Sequence, residues 1–112
     1  MGDYRIDRER WAQLSIIEQM ANIGAEVGRT INAYRDGNEK RFDNALLRAL
    51  DLFSATTEQL ANDKSYRLRE VLRARNEFLR LFFDGTFELD ADNIDRYFTQ
   101  FAVAARNLKS PK

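Results

Sequence analysis

Apolar residues return at steps of three and four along much of the chain, and residues that start or stop helices bound each run. The clearest run extends from Ser15 to Asp36. Within it Ile16, Met20, Ile23, Val27, Ile31 and Tyr34 make one narrow stripe, the spacing of an amphipathic helix. Ser15 and Glu18 have the spacing of a capping box, in which the serine hydroxyl accepts the Glu18 N–H and the glutamate accepts the Ser15 N–H. Gly37 suits the position just past a helix end, where the backbone turns left-handed. Asn38 can cap a second helix at once. So short a connection predicts an antiparallel hairpin.

The second predicted helix covers about 39–60, with Phe42, Leu46, Ala49, Leu50, Phe53 and Leu60 inward and Ala45 and Leu52 at its flank. Asn62 to Ser65 is turn chemistry. A third helix is expected over 66–83, with Leu68, Val71, Leu72, Phe78, Leu79, Phe82 and Phe83 inward, closed by Asp84-Gly85. Residues 86–89 read as a short extended link, after which Asp90 or Asp92 caps a fourth helix over 91–108. Its stripe is Ile94, Phe98, Phe101, Ala105 and Leu108. Before all four lies a lead-in of residues 1–14 anchored by Tyr4, Ile6, Trp11 and Leu14. In it Asp7 caps a short turn that sets Trp11 over one end of the core. The tail from Lys109 is expected to fray. The expected fold is all-α, an up-down-up-down four-helix bundle with a short N-terminal lead-in, one domain over 1–112.

Several positions depart from a plain helical pattern. Gly24 and Gly28 lie one turn apart inside the first helix, where each costs about 1 kcal/mol relative to alanine. Their expected role is helix contact, a neighbour's backbone approaching where a side chain would hold it off. Arg75 projects into the middle of the third helix's apolar face. A buried guanidinium needs a carboxylate, because an unpaired charge there costs several kcal/mol. Glu26 is the first candidate, then Glu18 and Asp51, and with Asn22 the set Asn22, Glu26 and Arg75 would make a polar core. Arg69, Arg73 and Arg80 share the outer face of the third helix with Glu77. They are a candidate nucleic-acid face, though one without lysines or interleaved aromatics.

Composition narrows the chemistry. The chain has 112 residues, no Cys and no His. That removes the usual general base at neutral pH, thiol catalysis and Cys/His zinc sites, and the Glu-x-x-His pairs of a di-iron bundle. Neither cofactor nor metal is expected, and the reading is non-enzymatic. Eighteen basic and 18 acidic residues balance, so no overall field steers the chain to nucleic acid or anionic lipid. No apolar run approaches the roughly 20 residues of a membrane span. The N-terminus has no apolar segment of a secretion signal, and the expected location is the cytoplasm.

The string Trp11-x-x-Leu14-Ser15-x-x-Glu18-Gln19-x-Ala21-Asn22-Ile23-Gly24-x-Glu26-Val27-x-Arg29 resembles the signature of a family of short bacterial all-helical proteins. The likeness continues through residues 48–53, Leu72-Arg73-x-Arg75 and Tyr97-Phe98-x-x-Phe101. The resemblance implies a bacterial helical protein and carries no activity with it. At fold level the chain is also similar to four-helix proteins encoded in ribosomal RNA intervening sequences and to HEPN-like bundles, and fold alone does not carry function.

These readings converge on an interaction module that docks another macromolecule. A homodimer is expected, through the aromatic-rich third and fourth helices with Phe78, Phe82, Phe83, Phe87, Tyr97, Phe98 and Phe101. Two alternatives stand beside it. One is an RNA-associated accessory protein using Arg69, Arg73 and Arg80. The other is a small-ligand binder at the polar core.

Overall fold

The computed structural model describes residues 6–109, so Tyr4 and the tail beyond Lys109 lie outside the described residues. The described residues are all-helical, in five helices: α1 (Arg8–Ala12), α2 (Ile16–Arg35), α3 (Glu39–Asn62), α4 (Leu68–Phe83) and α5 (Phe87–Lys109). A four-helix bundle is compatible with α2 to α5. The lead-in is itself helical and adds a fifth, short helix. Asp7 caps α1 by accepting the N–H groups of Glu9 and Arg10, which leave their own turn without partners at a helix start. Both halves of the Ser15–Glu18 capping box are formed. Gly37 sits at φ +69°, and Asn38 caps α3 through the N–H of Arg41 at 3.0 Å. No helix among the described residues is long and apolar enough to cross a membrane.

Neighbouring helices run antiparallel. On α2 and α3, Gln19 meets Gln59 while Glu26 meets Arg48. On α2 and α5, Gly24 lies against Phe98 while Arg35 reaches Asp92. Phe53 packs on Phe78 and Phe42 on Phe82 between α3 and α4, and Tyr97 of α5 bonds Glu70 of α4. The interior is one cluster, with Met20, Ile23, Val27, Phe53, Phe78, Leu81 and Phe98 at its centre.

Two expectations need correction. Residues 86–89 are not an extended link, because α5 already begins at Phe87. Gly85 turns the chain at φ +75°, and the Thr86 carbonyl then accepts the N–H groups of Leu89 and Asp90 at 3.1 and 2.9 Å. Phe87 is buried against Tyr34, with ring centroids 4.6 Å apart. That contact between elements fixes the early start, and a local reading of Thr-Phe-Glu-Leu does not contain it. Neither Asp90 nor Asp92 serves as the cap.

The second correction concerns rotation. α3 buries Ala45, Ala49, Leu52, Phe53, Ala55, Thr56 and Leu60, while Phe42, Leu46 and Leu50 are only half-buried. α4 buries Val71, Ala74, Phe78 and Leu81, leaving Leu68, Leu72, Leu79 and Phe82 half-buried and Phe83 exposed. Both helices turn alanines inward beside Phe53, Phe78 and Leu81 and leave several leucines at the edge. Small side chains let backbones approach closely, and close packing of the interior outweighs burial of any one leucine. α1 also claims a flank of α3, since Trp11 lies over Thr56.

Candidate functional site

The rotation of α3 and α4 leaves a set of large apolar residues at the surface of these two helices. Phe42 and Phe53 mark the side of α3 that meets α4. Leu46 and Leu50 follow on that edge, and Leu47 beyond them is 63% exposed. Across the seam, Leu68, Leu72, Leu79 and Phe83 run along one strip of α4, at the spacing of a single helix face. They lie opposite Glu70, which marks the α5 side. Phe83 is 65% exposed. Arg75 stands within this strip, half-buried.

Arg75 is therefore not the centre of a polar core. Among the described residues no carboxylate pairs with it, and its three candidates are otherwise engaged. Glu26 accepts from Arg29 at 2.8 Å and from Arg48 at 3.3 Å. Glu18 closes the capping box. Asp51 takes the Ile6 N–H at 2.8 Å and Arg8 at 3.2 Å. Asn22 is exposed and donates to the Glu18 backbone carbonyl. Asn22, Glu26 and Arg75 do not come together. The projection was sound, but α4 is turned so that Ala74 and Phe78 point inward, and a long arginine stem reaches water from the flank.

A polar centre exists elsewhere, and periodicity gave no sign of it. Gln19 and Thr56 are fully buried. The Trp11 indole N–H donates to the Thr56 hydroxyl at 2.9 Å, and that hydroxyl donates to Gln19 Oε1 at 2.9 Å. The Gln19 amide nitrogen reaches Gln59 Oε1 and the Trp11 carbonyl, each at 3.0 Å, and the Leu14 carbonyl at 3.3 Å. The network ties α1 to α2 and α3. Every buried side-chain nitrogen and oxygen among the described residues has a partner, so these groups present no open donor to a ligand. The one available signal was Trp11 eight residues before an inward-facing glutamine.

The two helix glycines differ. A Cβ built on Gly24 would lie 2.8 Å from Phe98 Cβ, inside any normal contact. On Gly28 it would meet only Asp95 Oδ1, at 3.7 Å, which is ordinary contact. α5 approaches α2 more closely at Gly24 than at Gly28.

Arg69, Arg73 and Arg80 are all exposed on α4, as is Glu77. Arg80 is paired with Asp84 at 3.3 Å. Beside them a cleft of about 240 Å³ lies between α4 and α5, walled by Glu70, Arg73, Glu77, Asn93 and Tyr97 over Ala74, Ile94 and Phe98. Tyr97 donates to Glu70 Oε2 at 2.7 Å. Burial first, and then that carboxylate, push the Tyr97 hydroxyl well above its ordinary value. It is held as a neutral donor. The wall mixes charges of both signs, so phosphate contacts along it would meet acids at the same spacing.

Comparison of the chain with protein-family models, curated proteins and solved structures returns no match.

Proposed function

We propose that the protein is a non-catalytic interaction module, an up-down-up-down four-helix bundle of the cytoplasm that pairs with a second copy of itself. The face is the α3–α4 seam, not the α4–α5 pair that the count of aromatics suggested. Phe78, Phe87 and Phe98 are buried and Phe82, Tyr97 and Phe101 half-buried, so those rings are committed to the molecule's own interior. The observation that supports the reading is that Leu46, Leu47 and Leu50 on α3 and Leu68, Leu72, Leu79 and Phe83 on α4 are half-buried or exposed. Single exposed leucines are ordinary, but a contiguous apolar strip is the mark of an interaction surface. An isologous pairing lays the strip of one copy on that of the other. Arg75 within the strip then brings a charge-assisted donor to a carboxylate across the seam.

Light scattering at micromolar concentration tests it. The wild-type chain is expected to run as a dimer, and the pair Leu47→Glu with Phe83→Glu as a folded monomer. A wild-type chain that stays monomeric at high concentration, or a double variant that stays dimeric, overturns the assignment of this face. The RNA-accessory reading through Arg69, Arg73 and Arg80 draws no support from a strip interrupted by Glu70 and Glu77.

A further inference from the structure

A second cluster lies away from the seam, between α2 and α3. Arg29 and Asn32 come from α2, and Arg41, Ala45 and Arg48 from α3, around a surface pocket of about 350 Å³. Arg41 and Arg48 are two helical turns apart and so share a face. Ala45 between them is buried and small, which leaves the hollow open. The antiparallel pairing of α2 and α3 brings Arg29 to the same mouth.

These arginines are organised from behind. Glu26 lies one turn before Arg29 with its side chain only 13% exposed. Its two carboxylate oxygens hold different partners, Oε2 the Arg29 guanidinium at 2.8 Å and Oε1 the Arg48 Nε at 3.3 Å. Asp36 holds Arg41 at 3.1 Å from the rim. A guanidinium is a planar fork of five N–H donors, so one bond to a carboxylate orients it without exhausting it. Three guanidiniums line one hollow, in a chain whose total charge is zero. The guanidiniums converge on one hollow here, where the α4 arginines alternate with acids.

We infer that the α2–α3 pocket formed by Arg29, Asn32, Arg41 and Arg48 is a binding site for a phosphate group. Two observations choose the ligand. The lining is arginine, asparagine and alanine, with no ring on which a base or sugar could stack, so recognition falls on the anion. Forked donors converging from two helices match the tetrahedral oxygens of a phosphate or diphosphate, for which arginine is the preferred residue. Asn32 adds a neutral donor. Glu26 is a positioning residue here, holding two forks at the angle the anion meets. The site is independent of the α3–α4 seam and stands whether or not the chain dimerises.

Titration calorimetry with pyrophosphate, at constant ionic strength against chloride, is the test. Saturable binding is expected, weakened about tenfold by either Arg41→Gln or Arg48→Gln, each a loss of one charge-assisted fork. Arg73→Gln, on the far side of the molecule, leaves it unchanged. Circular dichroism of each variant confirms that it is folded, and Arg41, an exposed rim residue, keeps the test sound if Arg48→Gln is not. A short single-stranded RNA then distinguishes two sources of the group. If it competes with pyrophosphate and its affinity falls steeply with salt, the phosphate belongs to a nucleic-acid backbone. If it does not compete, the phosphate belongs to a small molecule. No saturable pyrophosphate binding, or binding that Arg41→Gln and Arg73→Gln weaken equally, overturns the site.

Discussion

Two polar clusters lie along the α2–α3 pair, and they are built on opposite terms. At one end Trp11, Gln19, Thr56 and Gln59 are neutral, and among them every buried donor meets an acceptor. Further along, Arg29, Arg41 and Arg48 surround an open hollow and are held by Glu26 and Asp36. Buried polar groups cost free energy unless each is paired, so a closed network is selected for completeness. A surface cluster in water carries no such demand, because solvent can meet the donors that face it. The first cluster fixes the fold, and the second is poised to bind.

The contrast breaks most readily at Gln19. Gln19→Leu leaves the buried Thr56 hydroxyl without its acceptor and removes the donor that the Gln59 and Leu14 carbonyls share at the half-buried edge. It should cost about 3 kcal/mol, the sum of more than one unsatisfied buried group. Urea unfolding measures it, and a loss under 1 kcal/mol would mean that water enters this end of the molecule.

Packing offers the same comparison of closed and open without polarity. Gly24→Ala forces a methyl onto Phe98 Cβ, which cannot swing aside, and should destabilise by about 2 kcal/mol. Gly28→Ala finds room and should stabilise by roughly 0.4–1 kcal/mol, since alanine loses less backbone freedom on folding. Opposite signs in the two melting temperatures are the expected result.

Tyr97 is intermediate, half-buried with a single acceptor. Tyr97→Phe should cost about 1 kcal/mol at neutral pH, one hydrogen bond to a carboxylate in a partly wet cleft. The folded chain holds the tyrosine proton more tightly than the unfolded chain, whose value is about 10. Its contribution is therefore complete below about pH 10 and is lost as pH rises through the higher folded value. The gap in urea midpoint between wild type and Tyr97→Phe should shrink above about pH 10. A gap that widens there contradicts the hydrogen bond to Glu70.

The smallest stability effect belongs to Arg48→Gln, within about 0.5 kcal/mol, because Glu26 keeps Arg29 and the pair is screened by solvent. The same change that leaves the melting curve in place should remove most of the affinity for pyrophosphate. Gln19→Leu should do the reverse, lowering stability while the folded fraction binds normally. If both variants lose stability alike, the two clusters are one structural unit.

Much of the helical plan was legible in the chain. The Ser15–Glu18 box, Asp7, Gly37 and Asn38 each act through bonds to residues at most a few positions away, so their meaning is local. The all-helical class followed from spacing alone. Gly24 marked a close approach because an internal glycine has a cost that something must offset.

What only the tertiary structure decided was rotation and partnership. Helical projection weights a leucine above an alanine, so it turned α3 and α4 toward their largest residues. The folded chain brings Ala45 and Ala74 inward beside Phe53 and Phe78, because the helices pack at the distance their smallest contacts allow. That one rotation carried Arg75 out of the core, set a leucine strip at the α3–α4 seam and left Glu26 to Arg29 and Arg48. The buried Gln19 network and the start of α5 at Phe87 were equally out of reach. Gln19 and Thr56 lie 37 positions apart and Tyr34 and Phe87 lie 53 apart, and no pattern within one helix records which neighbour its side chains will meet.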